Sequence, residues 1–408
     1  MHVLILGAGT AGTMAAAGLR HHLDEGHRIT VVDVDDRHVY QPGQLLLPFG
    51  TYRESQLVRS RRSVLPRGVD VVTGEVESVD TAAATVRLVD GTRLSYDQLV
   101  IATGTRPRPD QTPGMLDGDH LARGVHEFYT LEGSIALREA LARFQGGRLV
   151  VDIADNPIKC PVAPLELTFL ADAFLRERGL REATELVYVT PLDGAFTKEV
   201  CSKRLGGMLG DRNITMEADF LLEHVDADAG RIVSYDEREI DFDLLVAVPV
   251  NMGADFVASA GLGDELNHVR VDPHTLQAVD HPNVWAVGDA ANLPTSKAGS
   301  VAHFSMPVLV TNVTDVIAGR APSASFDGHS NCFIESGDGK ALLIDFNYEV
   351  EPLPGTYPLP RIGLPLLKES RLNHWGKLGF RYLYWYFLLP DRPLPISSRM
   401  SMRGKRAA

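Results

Sequence analysis

The chain has 408 residues, 44% of them hydrophobic and 23% charged, with a net charge of −13. That length buries two or three domain cores, the composition is that of an ordinary globular protein, and the acidic balance excludes general nucleic-acid binding. The charge is uneven. Arg361–Ala408 holds ten Lys/Arg against two Asp/Glu, so it carries +8 and the first 360 residues carry −21.

The elements read in chain order as an α/β pattern. Val3–Leu6 is a short, wholly apolar strand that follows Met1-His2 directly, so no signal peptide is expected. The turn Gly7-Ala8-Gly9-Thr10-Ala11-Gly12 follows, then a helix to about Leu23 and a strand, Ile29–Asp33. Continuous apolar strands of this kind suit a parallel sheet covered on both faces. Residues 69–102 read as short strands, with a hairpin at Asp90-Gly91, and end in Leu99-Val-Ile-Ala-Thr-Gly104. A second α/β run covers about 116–241. It includes a strand entering a helix near Cys160, a strand Glu185–Thr190 and a helix near Lys198–Leu209. The chain then returns to the first unit through Val284-Trp-Ala-Val-Gly-Asp289 and a helix from about Ser300 to Ala318. Residues 321–325 read as a linker.

The fingerprint Gly7, Gly9, Gly12 allows a tight turn and close approach of a pyrophosphate to a helix N-terminus. Asp33 stands 21 residues past Gly12 at the end of the second strand, where an acid accepts ribose hydroxyls. Thr103-Gly104 and Gly288-Asp289 each end a strand. With these three motifs the chain resembles the two-dinucleotide-fold flavoproteins over residues 1–320. The resemblance implies FAD, with Gly7, Gly9, Gly12, Asp33, Pro42, Thr103, Gly104, Gly288 and Asp289 around it. It also implies two Rossmann-like dinucleotide-binding domains. Residues 1–115 and 242–325 would form a discontinuous FAD domain, 116–241 the second domain, and 326–408 a C-terminal hairpin with a membrane-associating segment.

The second fingerprint expected of such proteins is missing. Where a nicotinamide loop would lie, the chain reads Ala154-Asp-Asn-Pro-Ile-Lys-Cys160-Pro, without glycine. Pro161 suits a helix start, so Cys160 is expected at the N-cap, with the helix and Lys159 favouring its thiolate. Glu166 follows in the early helix and is a candidate proton carrier. Cys332 precedes a hairpin turning at Gly337-Asp338-Gly339. This pattern is similar to that of the sulfide:quinone oxidoreductases. The resemblance implies a Cys160–Cys332 redox pair beside the flavin, Glu166 and Lys297 as accessory groups, and Phe346 and Tyr348 at a quinone pocket. It implies sulfide and a membrane quinone as substrates. A third family cysteine is missing from Val125–Thr130, and Cys201 reads as a packed core residue.

Tyr382–Leu389 is aromatic and apolar but too short to cross a bilayer. With Arg371, Lys377 and Arg381 nearby, it has the composition of an interfacial anchor. The expected location is therefore the cytoplasmic side of a membrane, as a peripheral protein. The other use of such a stretch is a homo-oligomer contact. No metal site is read. Two other activities share these features: a type II NADH:quinone dehydrogenase, which needs the missing glycine loop, and a flavocytochrome sulfide dehydrogenase subunit, which needs export. A redox sensor binding FAD without turnover is the reading from outside enzymology.

Overall fold

The computed structural model describes residues 1–394 and 396–406. Two sheets organise the chain. The first has six strands in the order 277–278, 281–286, 98–101, 2–6, 28–33 and 70–73. His2–Leu6 lies at its middle, with Leu4 opposite Thr30 on one side and Leu99 on the other, both pairings parallel. Residues 3–6 are wholly buried, as expected of an apolar run covered on both faces: Val3 and Ile5 share a cluster with Ala15 and Leu19 of the fingerprint helix, Leu4 and Leu6 with Val79, Val86 and Leu88 of short antiparallel strands. The fingerprint helix, Thr10–His22, packs against the long helix Gly299–Ile317.

The second sheet has five strands, in the order 125–126, 244–248, 147–153, 184–189 and 215–217, also parallel. Leu244–Val248 belongs to it, pairing Leu245 with Val150. This carries the second sheet past residue 241, where the sequence reading ends that domain. The strand is wholly buried between two strands of its own sheet, a stronger constraint than the hairpin before it. A two-stranded ladder, Arg106–Pro107 with Asn251–Met252, marks the crossings between the two units.

The C-terminal part begins with the hairpin Ser330–Gly337/Lys340–Phe346, in which Cys332 pairs with Ile344. Gly337, Asp338 and Gly339 all have positive φ, so the turn lies where its composition placed it. The hairpin packs against the Cys160 helix, Ala163–Glu177. The helix Arg371–Leu383 then docks on the hairpin. The Ser370 hydroxyl caps it by accepting from Asn373 N–H, and the buried Asn373 amide donates to the carbonyls of Ala341 and Pro365. Among the described residues no helix is long and apolar enough to cross a membrane.

Candidate active site

Strand ends of the first sheet, the start of the Cys160 helix and the inner face of the C-terminal helix enclose a cavity of ≈ 440 Å³. Gly7, Gly9, Asp33, Pro42, Thr103, Gly104, Gly288 and Asp289 all line it. Gly12 lies beneath the turn: a Cβ there would come 1.8 Å from the carbonyl oxygen of Gly7. Gly7 has φ +93, and its missing Cβ makes room for the backbone of Ala102. Gly9 differs, because a Cβ there would meet nothing within 4 Å. The turn is closed against protein on one side and open to a ligand on the other, as a pyrophosphate cradle requires. Thr103 Oγ1, Thr105 Oγ1 and Tyr129 OH are buried at the cavity without a protein partner. Buried hydroxyls of this kind call for a polar guest. The residues present fit FAD.

Asp33 is already engaged. Its carboxylate accepts from Ala8 N–H at 2.6 Å and from Arg61, whose guanidinium is 8% exposed and also meets Asp35. Arg61 was not apparent from the sequence; it too lines the cavity. Lys297 lines the cavity, with Nζ 2.8 Å from Asp289 O and 3.2 Å from Ala291 O. Burial lowers it to about 8 against the pull of Asp289.

Of the two candidate thiols, that of Cys160 lines the cavity. Cys160 is not at an N-cap. The cap is Val162, and Cys160 occupies a turn before it with φ +50, its N–H donating to Lys297 O at 2.6 Å. Burial first, then Glu166 and Cys332, pushes its thiol well up, opposite to the thiolate expected from the helix start. The adjacent cation is Lys377, not Lys159, whose ammonium faces the Tyr129 ring at 5.8 Å. Cys332 is buried on the first hairpin strand rather than before it. It is not among the cavity-lining residues, but its charge couples to that of Cys160. Burial and Glu166 lift its thiol to about 12, while Lys377 and the hydroxyls of Ser330 and Ser300 oppose them.

Glu166 and Lys377 form a buried ion pair whose charges act on both thiols. Glu166 also accepts from Glu335 N–H at 2.7 Å, and burial raises its carboxyl to about 7. Burial lowers Lys377, but the negative groups around it, Glu166 first, outweigh this and leave it raised. By composition alone Lys377 belongs with the charges of a surface anchor. It is 11% exposed and faces inward. Much of the aromatic stretch is core as well: Tyr384, Trp385, Leu388 and Leu389 are buried, while Trp375, Tyr382, Leu383 and Phe387 stay exposed. The helical spacing of 377, 380, 384 and 388 was the available signal. Aromatic composition masked it.

Phe346 and Tyr348 do not line this cavity. Phe346 is core, beneath Lys198 at 5.5 Å, and Tyr348 donates its hydroxyl to Pro273 O at 3.0 Å. Cys201 is buried, as expected.

Residues 1–151 match the family model "Pyridine nucleotide-disulphide oxidoreductase". The mitochondrial sulfide:quinone oxidoreductase of Mus musculus is 26% identical over 95% of this chain and 86% of its own length. The chain is an FAD-dependent oxidoreductase related to the sulfide:quinone oxidoreductases. The sulfide:quinone oxidoreductase of Aquifex aeolicus has the same fold, with a TM-score of 0.80 at 20% identity over 96% of this chain and 92% of that one. Rhodocoxin reductase of Rhodococcus erythropolis is 29% identical, but over only 74% of this chain and 67% of its own. The first two likenesses therefore extend over stretches of the flavoenzyme that the reductase match leaves out.

Proposed function

We propose that this flavoenzyme moves two electrons from sulfide to a quinone through Cys160 and Cys332. The observation that carries the reading is the buried Glu166–Lys377 pair beside both thiols, at the end of the cofactor cavity where the turn lacks a phosphate cradle. In the oxidised state the two sulfurs are joined. HS⁻ adds to one of them, the S–S bond breaks, one cysteine becomes a persulfide and the other leaves as thiolate. Glu166, with a pKa of about 7, takes the proton of H₂S. Lys377 is the cation that makes a thiolate tolerable in a buried site. A second sulfide removes the zero-valent sulfur, leaving two thiolates. Bound FAD supplies the two-electron acceptor for their closure to a disulfide and the donor for the quinone. The overall change is HS⁻ plus quinone plus H⁺ to S⁰ plus quinol.

The exposed face Trp375, Tyr382, Leu383 and Phe387 supports peripheral docking on a membrane, from which a quinone reaches the site. Arg371 and Arg381 lie on the same helix, suiting anionic lipid. The test is anaerobic titration with sulfide, followed by a soluble quinone. Bleaching of the flavin by sulfide, its absence in Cys332→Ala, and no bleaching by NADH are the expected results. Normal reduction by sulfide in Cys332→Ala ends the mechanism, and rapid reduction by NADH favours the dehydrogenase alternative.

A further inference from the structure

The residues that seat the C-terminal helix are also residues of the cofactor cavity. Lys377, Phe380, Tyr384 and Leu388 line it, and their spacing of three and four puts them on one helical face. That face starts beside Glu166 and ends at the fingerprint turn. From Tyr384 to Leu388 the helix widens into a π-turn, a form that recurs at functional sites.

Tyr384 is 1% exposed, and its hydroxyl lies 2.7 Å from Thr10 Oγ1 and 2.7 Å from His38 Nε2. His38 Nδ1 lies 3.2 Å from the carbonyl oxygen of Ala8. A carbonyl only accepts, so Nδ1 carries the hydrogen. Burial, with Arg61 second, lowers His38 to about 4, so the ring is neutral at physiological pH and Nε2 accepts. Tyr384 therefore donates to His38 and accepts from Thr10. Thr10 opens the fingerprint helix and Ala8 lies inside the glycine turn. One hydroxyl, 374 residues away from Thr10, thus ties down both arms of the turn.

We propose that Tyr384 is a cofactor-positioning residue: through His38 and Thr10 it holds the Gly7–Gly12 turn in the shape that receives the pyrophosphate of FAD, and bound FAD in return holds the C-terminal helix in its seat. Linkage requires both halves, because a contact that favours FAD binding is favoured by FAD to the same extent. This coupling between Tyr384 and FAD involves neither the electron donor nor a membrane.

Tyr384→Phe keeps the ring and its contacts with Tyr40 and Trp385, with centroids at 4.9 and 5.1 Å, and leaves His38 Nε2 buried without a donor. Its dissociation constant for FAD, read by flavin fluorescence after reversible removal, is expected to rise about tenfold. Tyr386→Phe removes an exposed hydroxyl that meets Arg59, and is expected to leave the constant unchanged. In the unmodified protein, hydrogen exchange over residues 384–389 is expected to speed up when FAD is removed. This measurement needs no variant, so it stands even if Tyr384→Phe does not fold. FAD binding by a folded Tyr384→Phe within about twofold of the unmodified protein, or exchange over 384–389 indifferent to FAD, would overturn the proposal.

Discussion

Lys377→Met perturbs the pair on which the site turns. Glu166 is wholly buried and the Lys377 side chain is 11% exposed, so solvent does little to screen them. Losing one partner of a buried pair costs about 3–5 kcal/mol if the survivor stays charged. Glu166 has an alternative, because burial already lifts its carboxyl from 4.5 to about 7 with Lys377 in place. Without the ammonium it climbs further, each unit being worth about 1.4 kcal/mol. The folded state prefers the protonated acid, so the penalty for Glu166 is absent below the unfolded pKa and grows until pH passes the folded one. In the unmodified protein that growth stops near 7; in the variant it continues to a higher pH. Below 7 the acid is protonated in both, and Met merely replaces a buried cation of similar volume. The variant should therefore melt at the same temperature as the unmodified holoprotein, or higher, at about pH 5.5, and have lost about 2–3 kcal/mol at about pH 9. At about 2–4 °C per kcal/mol for domains of this size, that is a drop of roughly 5–10 °C. Thermal unfolding of the holoprotein at the two pH values decides the matter. An equal deficit at both would mean that Lys377 contributes packing alone, and the electrostatic account of the thiols would fall with it.

Glu166→Gln should slow sulfide-dependent flavin reduction by about 10²-fold or more and flatten its pH profile. The unmodified rate should rise as pH passes about 7, because the base must be deprotonated to act. Gly12→Ala should purify without flavin absorbance, since its Cβ would stand 1.8 Å from Gly7 O and the turn must open. Trp375→Glu combined with Phe387→Glu should lose co-sedimentation with anionic vesicles while keeping its flavin, because both side chains face solvent.

The parts of the fold that could be read in advance were those fixed by local chemistry. Gly9 and Gly12 answer an opening or a contact within a few residues, Gly7 is marked by the same local fingerprint although its close neighbour is Ala102, and Gly337-Asp338-Gly339 makes its own turn. The apolar run 3–6, bounded at once by the glycine turn, is too short for a helix and reads as a buried strand. The site's second half has no such local signature. Lys377 meets Glu166 across 211 positions, and nothing near either residue announces the partner. The same holds for Tyr384 and Thr10. The thiol of Cys160 illustrates the opposite error: a helix start and an adjacent lysine are local signals for a low pKa, and a burial that only the tertiary fold creates overrode both. Phe346 and Tyr348 were placed by resemblance, and their neighbours Lys198 and Pro273 lie far off in the chain.

The turn at 154–162 shows why the second domain presents a cysteine and no dinucleotide cradle. Its strand, Gly147–Ile153, and its helix, Ala163–Glu177, keep the geometry that elsewhere aims free N–H groups at a phosphate. Here Pro161 and Pro164 remove two of those donors. The N–H of Cys160 is spent on Lys297 O and that of Lys159 on the Asn251 side chain at 3.3 Å, both across the domain junction. Ile158 fills the space beneath at 1% exposure. What remains at this helix start is a thiol, a wholly buried carboxylate one turn on and a lysine brought in from the C-terminal helix. Such a site is poorly equipped to bind a second dinucleotide. Under the proposed mechanism those same groups exchange protons and sulfur beside the flavin cavity.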